Sequence, residues 1–214
     1  ASGLVGVGAR ENTLEQIFAA MQRREVFATT GTRMRMRMFA SWNFTADDLA
    51  APDLSRTGYG RGVPMGADLT GNGRAPTMLI EAMRDPDGAN LDRIQIVKGW
   101  VGADGVTHEK VYDVAWSGNR RLGRHGRLPP VGNTVTGASY RNSIGAPVLN
   151  GYWSDPDYSP GQRAFYYARV LEIPTPTWLA YDTVQLGTRQ LPADARLIQQ
   201  ERAYGSPIWV GGNH

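Results

Sequence analysis

The sequence predicts a mainly β protein, an antiparallel β-sandwich of Ig-like architecture preceded by one amphipathic helix. Three observations carry this reading. Arg33, Arg35 and Arg37 alternate with Met34, Met36 and Met38, the period of two that sends successive side chains to opposite faces of a strand. Short apolar runs recur at sandwich-like intervals between Gly-, Pro- and Asn-rich stretches, as in two-sheet folds. One segment alone, near the amino end, carries the helical period.

That segment comes first. Leu14, Ile17, Phe18 and Met21 stand at i, i+3, i+4 and i+7, a single apolar stripe. Thr13-Leu14-Glu15-Gln16 has capping-box spacing, and Arg23 and Arg24 close the far end, where cations suit the helix dipole. Such a helix needs a partner surface, and no second long helix is predicted nearby. Val26–Thr30 is strand-like, and Gly31 breaks it. The Arg/Met run follows, with Met toward a core. Its Arg face is either solvated or set against an acidic neighbour or anionic ligand. Thr77–Met83 and Arg93–Val101 are the next strands. Asp104-Gly105 is a hairpin turn, and Val106–Trp116 the return strand. Ala164–Ile173, Trp178–Leu186 and Arg202–Val210 complete the expected strands. Asn43–Gly73 and Ser117–Ser159 read as long loops, of a length seen when a loop is functional or packed on another body.

Composition bounds the function. The 214 residues, 41% of them hydrophobic, suit one domain or one domain plus a fragment of another. No run approaches the ~20 apolar residues of a membrane span, so a soluble chain with no membrane partner is expected. The absence of Cys removes disulfide scaffolds, Cys-type zinc sites and thiol catalysis, but leaves the compartment open. The net charge is +3, and Lys98 and Lys110 are the only lysines among 23 basic residues. That surplus is spread along the chain rather than clustered, which points away from nucleic acid.

The short motifs mostly dissolve. His108-Glu109 would open a zinc-protease motif, but position 112 is Tyr112 and the segment reads as a strand, not the helix that motif needs. Asp85–Asp92 resembles a calcium loop, yet Gly88 stands fourth and the twelfth position is Ile96, so a turn is expected. Asp155-Pro156-Asp157 reads as a turn too. Gly71-Asn72-Gly73 and Gly6-Val7-Gly8 lack the rest of a dinucleotide fingerprint. No Gly-x-Ser-x-Gly elbow occurs, and His108, His125 and His214 are the only histidines. Arg121, Arg124 and Arg127, with Gly123 and Gly126 between them, form either a solvated basic loop or an anion-binding one. Trp42, Tyr59, Tyr140, Tyr152, Trp153 and Tyr158 fall in predicted loops, where aromatic faces could stack on sugar rings.

Longer stretches carry a family resemblance. Glu11-Asn12-Thr13 with Ala20–Arg33 looks like the carboxy-terminal helix and strand of polymerase-and-histidinol-phosphatase (PHP) metallohydrolases, particularly the carbaryl-hydrolase-like branch. Gly62–Gly66, Leu91–Trp100, His108–Ser117, Ala164–Pro176 and Ser206–Trp209 resemble the family called domain of unknown function 3604, over nearly the whole chain. The resemblance implies a larger protein. Residues 1–31 would be the terminal helix and exit strand of an upstream barrel, and 32–214 the appended β-sandwich with long loops. The divalent metals would sit in that barrel, because no Asp-x-His occurs here, and no metal ligand or cofactor is expected in this chain. Its partners would be the barrel and an unidentified small-molecule substrate of ester, amide or phosphoester class. Thr29, Thr30 and Arg33 near the barrel exit, and the Trp100–His108–Glu109 hairpin, are the residues expected near substrate. The alternatives are a sugar- or anion-binding module and a structural or assembly domain.

Overall fold

The computed structural model describes residues 3–71, 73–187 and 190–211. Fourteen strands follow in chain order: β1 Leu4–Val7, β2 Val26–Thr29, β3 Arg35–Ser41, β4 Val63–Pro64, β5 Asp68–Leu69, β6 Thr77–Met83, β7 Leu91–Val101, β8 Thr107–Trp116, β9 Val148–Ser154, β10 Ala164–Glu172, β11 Thr175–Pro176, β12 Ile198–Gln199, β13 Arg202–Gly205 and β14 Ile208–Val210. Three α-helices join them: α1 Leu14–Gln22, α2 Leu54–Arg61 and α3 Trp178–Leu186.

β10 is the spine of the larger sheet. One of its edges pairs antiparallel with β7 from Ala164↔Trp100 to Glu172↔Leu91. The other is shared end to end: β13 lies opposite residues 169–171 and β14 opposite residues 164–166. The sequence predicts one strand over Arg202–Val210. The structure divides it at Ser206-Pro207, since proline has no N–H to give a ladder. At that break the outer partner changes, from β2 beside β13 to β5 beside β14. β1 extends the sheet past β2, and β8 past β7. The smaller sheet runs β4-β3-β6-β9.

The two sheets face each other as a sandwich. Met36, Met38, Met78 and Ile80 of the smaller sheet meet Ile94, Ile96, Tyr166 and Ala168 of the larger in one buried cluster. The Met face of the Arg/Met run is therefore core, as its alternation predicts. Along β10 burial alternates strictly, with even-numbered residues inward. Asp104-Gly105 makes the expected hairpin turn, with Gly105 at φ 78°.

Several expectations are corrected. Trp178–Leu186 is α3, not a strand: the Thr177 side chain accepts from the Ala180 N–H, and Gly187 ends the helix at φ 64°. Aromatic and β-branched residues misdirect the reading there, while both caps stand in the sequence. The two long loops are not structureless. Asn43–Gly73 contains a 3-10 turn, Ala46–Ala50, together with α2, β4 and β5, and Ser117–Ser159 contains β9. β9 pairs with β6 along its full length, Val148↔Met83 to Ser154↔Thr77. Asn150 and Gly151 blur its period, so pairing rather than propensity makes it a strand. β1 has no strong signal in sequence and exists through β2.

α1 does form, with Thr13 capping Gln16. Its apolar stripe faces outward: Leu14 is 79% exposed, Phe18 59% and Met21 55%.

Candidate functional site

The β7–β8 hairpin places three expected residues together. Trp100 and His108 are directly opposed in register, and Gly99 opposes Glu109. The Trp100 and His108 rings stack with centroids 5.2 Å apart and planes 19° apart. On the other side of β7, Phe165 of β10 opposes Gly99. A Cβ at residue 99 would lie 2.2 Å from Phe165 Cζ, so glycine there is what lets the ring lie flat across the strand. Trp209 of β14 opposes Phe165 in turn, with ring centroids 5.2 Å apart and planes inclined by 55°.

These residues line a groove of about 620 Å³ with Asp68, Val101, Thr107 and Arg163. Its chemistry is an aromatic floor with a mixed rim: carboxylates at Asp68 and Glu109, a guanidinium at Arg163 and a hydroxyl at Thr107. Phe165, Trp209 and Arg163 are additions to the sequence reading. The period-two alternation of Ala164–Glu172 held the signal for Phe165, since it puts that ring on the face opposite the buried Tyr166.

A family model described as "Protein of unknown function (DUF3604)" matches residues 1–212. The chain belongs to this family. No curated protein matches it, and no solved structure does.

In this DUF3604 chain the remaining expected residues lie elsewhere. Thr30 pairs through its N–H with the Arg202 carbonyl, and Arg202 opposes Leu171. That is six residues along β10 from Phe165, about 20 Å at strand rise. The structure therefore separates Thr29, Thr30 and Arg33 from the Trp100–His108–Glu109 group. Each of the three is tied into the fold. The Thr29 hydroxyl donates to the Thr32 carbonyl at 2.6 Å, and the Thr30 hydroxyl to Glu201. Arg33 bridges Asp85 and Asp87, which is the acidic neighbour the Arg face allowed for. Burial alone would raise the Asp85 carboxyl, but the Arg33 and Asp87 backbone N–H groups and the Arg33 guanidinium hold it below the usual range. Asp85 also accepts from Asp87 N–H, so this segment is a turn. Arg37 reaches Ser55, and Arg35 lines a cleft of about 450 Å³ shared with Glu25, Glu81 and Phe27.

Arg121, Arg124 and Arg127 are exposed in a turn where the Gly123 N–H donates to the Arg127 carbonyl at 2.9 Å. Their neighbour Arg120 is structural. It pairs with Asp92 at 2.7 Å and donates to the carbonyls of Ser117 and Pro129. His214 and Asn72 lie outside the described residues.

Three of the aromatics expected in loops make contacts that hold the fold. Trp153 is in β9 and packs on Tyr112 and Tyr166. Trp42 donates to the Thr70 carbonyl at 2.8 Å. Tyr59 bonds Glu25, and burial together with that carboxylate pushes its phenol up to about 12. Among the described residues, no three His, Asp or Glu side chains are placed to share a metal ion.

Proposed function

We propose that this chain is the C-terminal accessory β-sandwich of a PHP-like metal-dependent hydrolase, resting on the catalytic barrel of the same polypeptide through its β1–α1 side. One observation supports this above others: the exposed Leu14, Phe18 and Met21 stripe of α1. Burying each such side chain is worth about 1.5–3 kcal/mol, so a stripe this regular is a face that gains by being covered. Leu4 and Val5 of the neighbouring edge strand are exposed as well. Residues 1–31 belong to the junction in this reading, and 32–214 form the sandwich. The divalent metals would be held by the barrel and would supply activated water for an ester, amide or phosphoester bond. This chain contributes orientation and surface, not metal ligands.

The test is amide hydrogen exchange of residues 14–22 in the longer native polypeptide and in this chain alone. Exchange at least about tenfold slower in the longer protein is expected, from local protection of a covered helix. Equal rates in both would overturn the docking. In a separate titration with manganese and zinc, this chain alone is expected to take up no stoichiometric ion; tight binding of two would overturn the division of labour.

A further inference from the structure

We infer that the Phe165–Trp209 groove is a saccharide-binding site, taking a neutral pyranoside with its C–H face on the Trp209 indole. This stands independently of how the chain docks. Trp209 is 44% exposed on a paired strand, so its ring is held by the sheet yet open to solvent. Trp100 also lines the groove, but its ring packs against the core cluster, where His108 stacks on it and Lys98 Nζ lies 5.1 Å from its centroid. Phe165 is backed by Tyr167, whose ring is parallel within 11° at 6.4 Å. Trp209 is thus the platform left free, and Phe165, tilted 55° to it, is the side wall.

The rim decides the ligand's charge. Asp68 and Glu109 would repel an anion, and Arg163 would repel a cation. Asp68 is also 3.7 Å from Arg24, while the side chains of Glu109 and Arg163 have no hydrogen-bonded or ionic partner among the described residues. A wholly apolar ligand would strip water from these groups and return no hydrogen bonds. A neutral polyhydroxylated ring satisfies every one of them: its hydroxyls donate to Glu109 and Asp68 and accept from Arg163 and Thr107, while its apolar face meets the indole. The volume, about 620 Å³, is within the range of small-ligand sites.

The test is titration of the chain with cellotriose, xylotriose, maltotriose and N,N′,N″-triacetylchitotriose, followed by tryptophan fluorescence and calorimetry. Saturable binding of at least one, with Kd below about 1 mM, is expected, and Trp209→Ala should weaken it by about tenfold or more, about 1.4 kcal/mol. Arg163→Ala lies outside the strands and should weaken the same ligand. It carries the test should the Trp209 variant fail to fold. No saturation by any of these trisaccharides at about 10 mM, roughly ten times the expected Kd, would overturn the inference. So would saccharide binding unchanged by both substitutions. Saturation by phenyltrimethylammonium or phenyl phosphate but by no sugar would also overturn it, reassigning the groove to a charged ligand.

Discussion

Asp155→Ala is expected to destabilise the protein by about 3–5 kcal/mol, the usual cost of leaving a buried charge without its partner. Lys98 is inside the sandwich, 1% exposed, and its ammonium donates to Asp155 at 2.6 Å and to the Asp157 carbonyl at 2.9 Å. Asp155 also accepts from the Tyr166 hydroxyl at 2.7 Å and the Asp157 N–H at 2.9 Å. Burial, with Asp155 as acceptor, drives the Tyr166 phenol well above its ordinary range, so it stays a donor. Asp155 directly follows β9 of the smaller sheet, whereas Lys98 and Tyr166 belong to β7 and β10 of the larger. The cluster therefore clamps one sheet to the other. Without Asp155, the ammonium keeps a single carbonyl. Without Lys98, the carboxylate keeps two donors. Lys98→Met should thus cost less than Asp155→Ala, and urea denaturation of both variants checks the order. Equal costs would overturn this order, and a cost for Asp155→Ala below about 1 kcal/mol would mean the cluster is solvated in solution.

Stability should fall as pH rises between about 4.5 and 7, because of one residue. Glu172 is fully buried, and neither carboxyl oxygen has a formed hydrogen bond. Burial raises its pKa from 4.5 to about 7. The Thr32 hydroxyl, close by but outside hydrogen-bond geometry, opposes that shift. Glu201 and Asp85 face it with like charge and Arg84 with opposite charge, and Tyr140 is near enough to feel it. In this window the folded chain holds a proton that the unfolded chain has released. Stability is complete below the unfolded value and is lost as pH passes through the folded one, by on the order of 3 kcal/mol in all. Glu172→Gln, whose amide can donate to the unpaired Thr32 hydroxyl, should flatten the slope and be more stable than the parent at pH 8. Urea midpoints at several pH values give the comparison. Parallel slopes in parent and variant would remove Glu172 as the cause.

Much of the scaffold is written in local pattern. The Arg/Met alternation assigns a face to each residue of β3, and Asp104-Gly105 fixes the hairpin that brings His108 opposite Trp100. The Thr13 cap and the i, i+3, i+4, i+7 stripe define α1. These survive because period and turn chemistry act within a few residues. β9 was not legible, since Asn150 and Gly151 hide its period and only full pairing with β6 makes it a strand. α3 carried helix caps around a strand-like composition, and the caps prevailed.

The candidate site divides in the same way. Trp100, His108 and Glu109 are close in sequence across one hairpin, and their grouping follows from that turn. Phe165 and Trp209 join them only because β10 lies between β7 on one edge and β14 on the other, a register no local pattern encodes. The same register carries Thr29, Thr30 and Arg33 about 20 Å away. The Lys98–Asp155 pair, too, spans 57 positions of chain. The sequence by itself determined the strands' faces, the hairpin and the amphipathic helix, because those depend on neighbours in the chain. The tertiary structure decided which rings share a groove and which charges are buried together, because those depend on sheet pairing between distant segments.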